Sequence, residues 1–100
     1  MVKHIILWTL RPELSVEEKE TVKANAKREL EALVGKVEGL NDLKIYINGL
    51  DSSNADMMLD STLEDQNALK AYQVHPAHVA AANEYVRPFT AQRLCLDFEM

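Results

Sequence analysis

The segment Val2 to Leu10 is apolar in both registers of a strand, His4, Ile6 and Trp8 alternating with Ile5 and Leu7. Successive side chains of a strand point to opposite faces of its sheet, so a strand with one wet face alternates apolar with polar residues. This strand has no polar face to give to water. It belongs inside a sheet that is covered on both sides, and the rest of the chain must supply those covers. With 100 residues, 47% of them apolar, and only three Gly and three Pro, the chain reads as one domain over residues 1–100 without a linker. A domain this small buries a limited share of its surface, which makes a second copy the expected source of one cover.

The other elements follow from spacing. Ser15 with Glu18 three residues on is a capping box, and Val22, Ala26, Leu30, Leu33 and Val37 recur at helical intervals until Gly35 and Gly39 stop the helix. Leu43, Ile45 and Ile47 alternate with Lys44, Tyr46 and Asn48 in a second strand, a polar turn follows to Asn54, and Met57 to Leu63 forms a third strand. Glu64 or Asp65 caps a short helix carrying Ala68, Leu69 and Tyr72. That helix ends at His75, because Pro76 biases its predecessor away from the helical region. Pro76 opens a further helix with His78, Ala82, Val86 and Phe89 on one face, and Pro88 closes it. Leu94, Leu96 and Phe98 alternate with Cys95 and Asp97 in the last strand.

The order β-α-β-β-α-α-β predicts an α+β, ferredoxin-like fold in which helices cover one face of an antiparallel sheet. Ile5, Leu7, Met58 and Cys95 are expected on the other face, buried against the same sheet of a second copy. The expected assembly is a homodimer with two-fold symmetry, a dimeric α/β barrel.

A formal charge of -5 without a Lys/Arg cluster excludes a phosphate-tracking surface, so no nucleic-acid partner is expected. No apolar run approaches the ~20 residues of a membrane span, and the N-terminus lacks a signal-peptide core, so a soluble cytoplasmic protein is expected. Cys95 is the sole cysteine; it makes no intramolecular disulfide or thiolate cluster and reads as a buried small hydrophobe. The histidines His4, His75 and His78 make a weak zinc set, since a helix break separates His75 from His78. No cofactor is expected.

Three strings, VKHIILWTL at the start, ALKAYQVHPAHVAAANEYVRPF in the second half and LCLDFE at the end, together with Tyr72-x-x-His75-Pro76-x-His78, resemble the stress-responsive dimeric α/β-barrel (Dabb) family over nearly the whole chain. The resemblance implies the dimeric barrel as fold. The family includes small plant stress proteins, bacterial members without an assigned activity and a plant polyketide cyclase. In that cyclase, residues matching His78 and Tyr72 carry acid/base roles, with the position matching His4 nearby. Met57 stands where it has a further histidine, and Lys23 and Ala26 where it has aromatic residues. Some members hold a cation on backbone carbonyls after the first helix, which maps to Glu31, Val34 and Val37.

The candidate catalytic residues are thus His78 and Tyr72, in a pocket lined by His4, Ile6, Trp8, Met57, Leu59 and His75. A histidine near a helix N-terminus feels the positive end of the dipole, which favours a neutral ring able to accept a proton. Tyr72 can donate to a carbonyl or enolate oxygen. Two readings stand at this point. One is a non-catalytic stress-type protein holding a small hydrophobic or carbonyl ligand, its polar residues satisfied in the core and His75 capping the helix at Pro76. The other is a cofactor-independent cyclase, lyase or isomerase.

Overall fold

A computed structural model describes residues 1–100. The chain folds as β1 (Val2–Leu10), α1 (Val16–Glu31), β2 (Leu40–Tyr46), β3 (Met57–Leu63), α2 (Gln66–Val74), α3 (Pro76–Tyr85) and β4 (Thr90–Glu99), with one 3₁₀ turn at Arg87–Phe89. The sheet order is β2-β3-β1-β4, antiparallel throughout, which gives the doubly apolar β1 an inner position. Ile6 and Trp8 of β1, Ile45 of β2 and Leu59 of β3 are buried with Val22, Ala26 and Leu30 of α1 and Leu69 and Tyr72 of α2 in one core. The ferredoxin-like order expected from the sequence is the order observed. No helix is long and apolar enough to cross a membrane.

Local chemistry sets the element ends. The Ser15 hydroxyl accepts from the Glu18 amide at 3.0 Å while the Glu18 carboxylate accepts from the Ser15 amide at 2.9 Å, closing the predicted capping box. At its other end α1 stops at Glu31, short of Leu33 and Val37, which its apolar spacing includes. The amides of Leu33, Val34 and Lys36 reach back three residues, so the chain runs on in tight turns. Such turns also bring every third or fourth residue inward, which keeps Leu33 and Val37 buried without a helix. Gly39 closes this segment at φ +84°, where an added Cβ would lie 2.7 Å from the Ala68 Cβ.

Register decides which face each β4 residue takes, because directly opposed residues of an antiparallel pair share a face. Ile5 opposes Leu96 and Leu7 opposes Leu94, whereas His4 opposes Asp97, Ile6 opposes Cys95 and Trp8 opposes Arg93. The uncovered face therefore carries Ile5, Leu7, Met58, Leu94, Leu96 and Phe98, with Leu94 at 69%, Leu96 at 64% and Phe98 at 45% exposure. Cys95 does not belong to that face, contrary to expectation. It stands on the helix-side face next to Ile6, and it is exposed rather than buried because β4 is an edge strand over which the helices do not extend.

Candidate functional site

The site is organised by the break between α2 and α3. Pro76 has no amide to continue α2 and holds His75 extended at φ -63°, ψ 131°. His75 then serves both helices, closing α2 and accepting from the Ala77 amide through Nδ1 at 3.1 Å as the N-cap of α3. The break reverses the chain enough for His78, in the first turn of α3, to lie over Tyr72 in the last turns of α2. Their ring centroids are 4.3 Å apart at 37°. His4 of β1 meets the Tyr72 ring edge-on, with centroids at 6.0 Å and planes at 67°. The three residues singled out in the sequence are thus in one contiguous stack.

Each has a different polar environment. His78 Nδ1 lies 3.3 Å from the Gln73 carbonyl. A carbonyl only accepts, so this contact puts the proton on Nδ1 and leaves Nε2 with a free lone pair. Burial lowers the His78 pKa from its ordinary value; Arg87, His4 and Arg93 add to this, and the Gln73 bond opposes it. His78 is accordingly neutral at pH 7. The Tyr72 hydroxyl is fully buried with no hydrogen-bond partner, and burial pushes its phenol above the usual tyrosine range. His4, 2% exposed, donates through Nδ1 to the Asp97 carboxylate. The Cys95 sulfur lies 3.8 Å from the same nitrogen and 3.4 Å from the Asp97 oxygen.

A cavity of about 420 Å³ opens between the sheet and the helices beside this stack. Ile6, Trp8, Leu59 and Leu30 form its apolar walls; His78, Gln73, Arg87, Thr90 and Arg93 supply the polar ones. Of the expected pocket residues, Ile6, Trp8, Leu59 and His78 line it. His4 and Tyr72 are buried in the adjoining stack. Met57 faces a separate groove with Ile45 and Lys27, and His75 is occupied as a cap. At the expected cation position, the Glu31 carbonyl accepts from the Val34 amide and the Val37 carbonyl from the Leu40 amide.

Arg93, Cys95 and Asp97 went unrecognised in the sequence. Their alternation with Leu94 and Leu96 was visible; their placement opposite Trp8, Ile6 and His4 depends on the β1–β4 register, which no local pattern encodes.

The family model described as the stress responsive A/B barrel domain matches residues 2–100. A dimeric protein of unknown function and ferredoxin-like fold from Bacteroides fragilis is 32% identical, with a TM-score of 0.92 over 99% of this chain and 95% of that one. A Dabb family protein from Mesorhizobium loti is 19% identical, with a TM-score of 0.74 over 99% of this chain and 95% of the other. A hydroxynitrile lyase from Passiflora edulis shares the fold at 16% identity, with a TM-score of 0.71 over 97% and 90% of the two chains. No curated protein matches the sequence.

Proposed function

The chain belongs to the stress-responsive A/B barrel (Dabb) family, and we propose that it is a cytoplasmic homodimer whose subunits each bind a small hydrophobic, carbonyl-bearing molecule beside His78. In this reading His78 accepts a proton from the bound molecule without any cofactor. The observation that carries it is the state of His78: neutral, with Nδ1 committed to Gln73 and Nε2 free, on the wall of a cavity large enough for a small ligand.

The surrounding groups support it. Arg93 and Arg87 on the cavity wall supply positive charge for an oxygen that becomes anionic as the proton leaves. The Tyr72 phenol keeps its proton and lacks a partner. A buried unsatisfied hydroxyl costs about 1–3 kcal/mol, and a ligand oxygen reaching it recovers that. The dimer rests on the uncovered sheet face, where Leu7, Leu94, Leu96 and Phe98 are exposed and Ile5 is partly buried, and on the dimeric relative from Bacteroides fragilis. A lyase on this fold, from Passiflora edulis, makes acid/base work in such a scaffold reasonable.

A second reading, binding without turnover, is favoured by the complete burial of Tyr72 away from the cavity wall. One experiment separates the two. Aromatic and β-keto carbonyl compounds are screened by NMR for shifts of the His78 imidazole, and the binders are then followed for exchange of their α-protons with deuterated solvent. Catalysed exchange that falls by about 10²–10⁴-fold in His78→Ala supports the enzyme. Binding with no exchange supports the holding protein, and no shift with any compound refutes both.

A further inference from the structure

We propose that His4, Cys95 and Asp97 form a zinc site with three protein ligands and a fourth position open to solvent or a small anion. The triad arises from strand geometry. Cys95 and Asp97 are two apart on β4 and so share a face, and His4 is the residue directly opposite Asp97 on β1. Their donor atoms, one nitrogen, one sulfur and one carboxylate oxygen, all lie within 4.8 Å of one another.

Two of the three edges fit a tetrahedron. Zinc bonds of about 2.3 Å to sulfur and about 2.0–2.1 Å to nitrogen or oxygen place neighbouring donors roughly 3.5 Å apart. The observed Sγ to Nδ1 separation of 3.8 Å and Sγ to Oδ1 separation of 3.4 Å lie on either side of that value. The third edge is the His4–Asp97 hydrogen bond, which is shorter than a zinc site needs and lengthens as two metal bonds replace it, the single proton of the neutral ring leaving Nδ1 and being taken up on Nε2 by way of solvent. The Cys95 thiol loses its proton to solvent in the same step, and no oxidation is involved.

Both ends of the site suit a metal. His4 is held from below, buried and with its carbonyl accepting from the Ser61 hydroxyl at 2.9 Å, whereas Cys95 and Asp97 sit exposed at the sheet edge where an ion can enter. Imidazole with thiolate selects zinc over magnesium or calcium, which prefer oxygen donors. His78 is not part of the triad, so the site stands whether or not His78 performs chemistry.

The test uses cobalt(II) as a spectroscopic substitute for zinc. Chelator-treated full-length protein titrated with cobalt is expected to develop a thiolate-to-cobalt charge-transfer band that saturates at one ion per chain and is bleached by zinc. Because Cys95 is exposed, Cys95→Ser leaves the fold intact. It is expected to abolish the band and weaken zinc binding at least ~100-fold, more than loss of an outer partner usually does. Asp97→Asn is expected to weaken zinc binding at least ~10-fold while a band remains. Absence of the band in the wild type, wild-type zinc affinity in Cys95→Ser, or loss of binding in His75→Ala would overturn the proposal.

Discussion

Replacing Tyr72 by Phe tests whether the buried phenol is as isolated as its surroundings indicate. The substitution removes one oxygen and keeps the ring, so the contacts with His78 at 4.3 Å and His4 at 6.0 Å are preserved. Ordinarily, deleting a buried hydroxyl destabilises a protein by the hydrogen bond it made. Here the hydroxyl has no partner, so the folded state is relieved of a desolvation penalty of about 1–3 kcal/mol. For a domain of this length each kcal/mol corresponds to roughly 4–8 °C in Tm. Tyr72→Phe is therefore expected to melt at least ~4 °C higher than the wild type, at equal chain concentration because a dimer's stability depends on it. The same variant is expected to bind a carbonyl ligand about 10-fold more weakly, having lost the donor. Opposite signs in the two assays are the signature. A stability loss above about 1 kcal/mol would mean that the hydroxyl is already bonded in the empty protein, and the argument for a free donor would fall.

Other outcomes follow from single features. The folded-state pKa of His78 is lowered, chiefly by burial, so below the unfolded value of about 6.5 the unfolded chain binds more protons and stability falls with pH. Urea midpoints between pH 7 and pH 5 should fall less in His78→Gln than in the wild type, and parallel curves would contradict this. Gly39→Ala combines a positive φ with a 2.7 Å approach to the Ala68 Cβ and should cost about 2–4 kcal/mol, whereas Gly35→Ala, with nothing within 4 Å, should cost about 1 kcal/mol. Equal midpoints for the two variants would show that the Ala68 contact is absent. Leu96→Arg introduces a charge on the uncovered sheet face and should yield monomer in light scattering; an unchanged mass would exclude that face as the interface.

The legible parts of the fold were those written in local chemistry. The Ser15–Glu18 box, the Asp65 cap and the Pro76 break all sit where the sequence implies, because each is settled by residues within four positions of one another. His75 as a helix cap was legible for the same reason. The end of α1 was not, since the tight turns after Glu31 place Leu33 and Val37 inward at intervals that a helix would share. In the candidate site, the stack of Tyr72 and His78 follows from the X-Pro break, and His4 joins it through its parity on β1. Asp97 and Cys95 depend instead on a pairing across ninety residues of chain. A shift by one residue would have exchanged Asp97 and Cys95 for Leu96 and Leu94 beside His4.

The two faces of β4 also tie assembly to the site. Its odd-numbered residues Arg93, Cys95 and Asp97 face the cavity and His4, while its even-numbered Leu94, Leu96 and Phe98 face the uncovered side. In a single chain this strand is held by one ladder, to β1, and nearly all of its residues are exposed. An edge strand with so little burial opens at low free energy. Covering its apolar side with a second copy adds burial to the strand that carries the site, and therefore holds Arg93 and Asp97 in place. Leu96→Arg should for this reason weaken ligand binding as well as association, although Leu96 points away from the cavity. Binding that stays at wild-type strength in a proven monomer would show that the β1 ladder alone is enough to order the site.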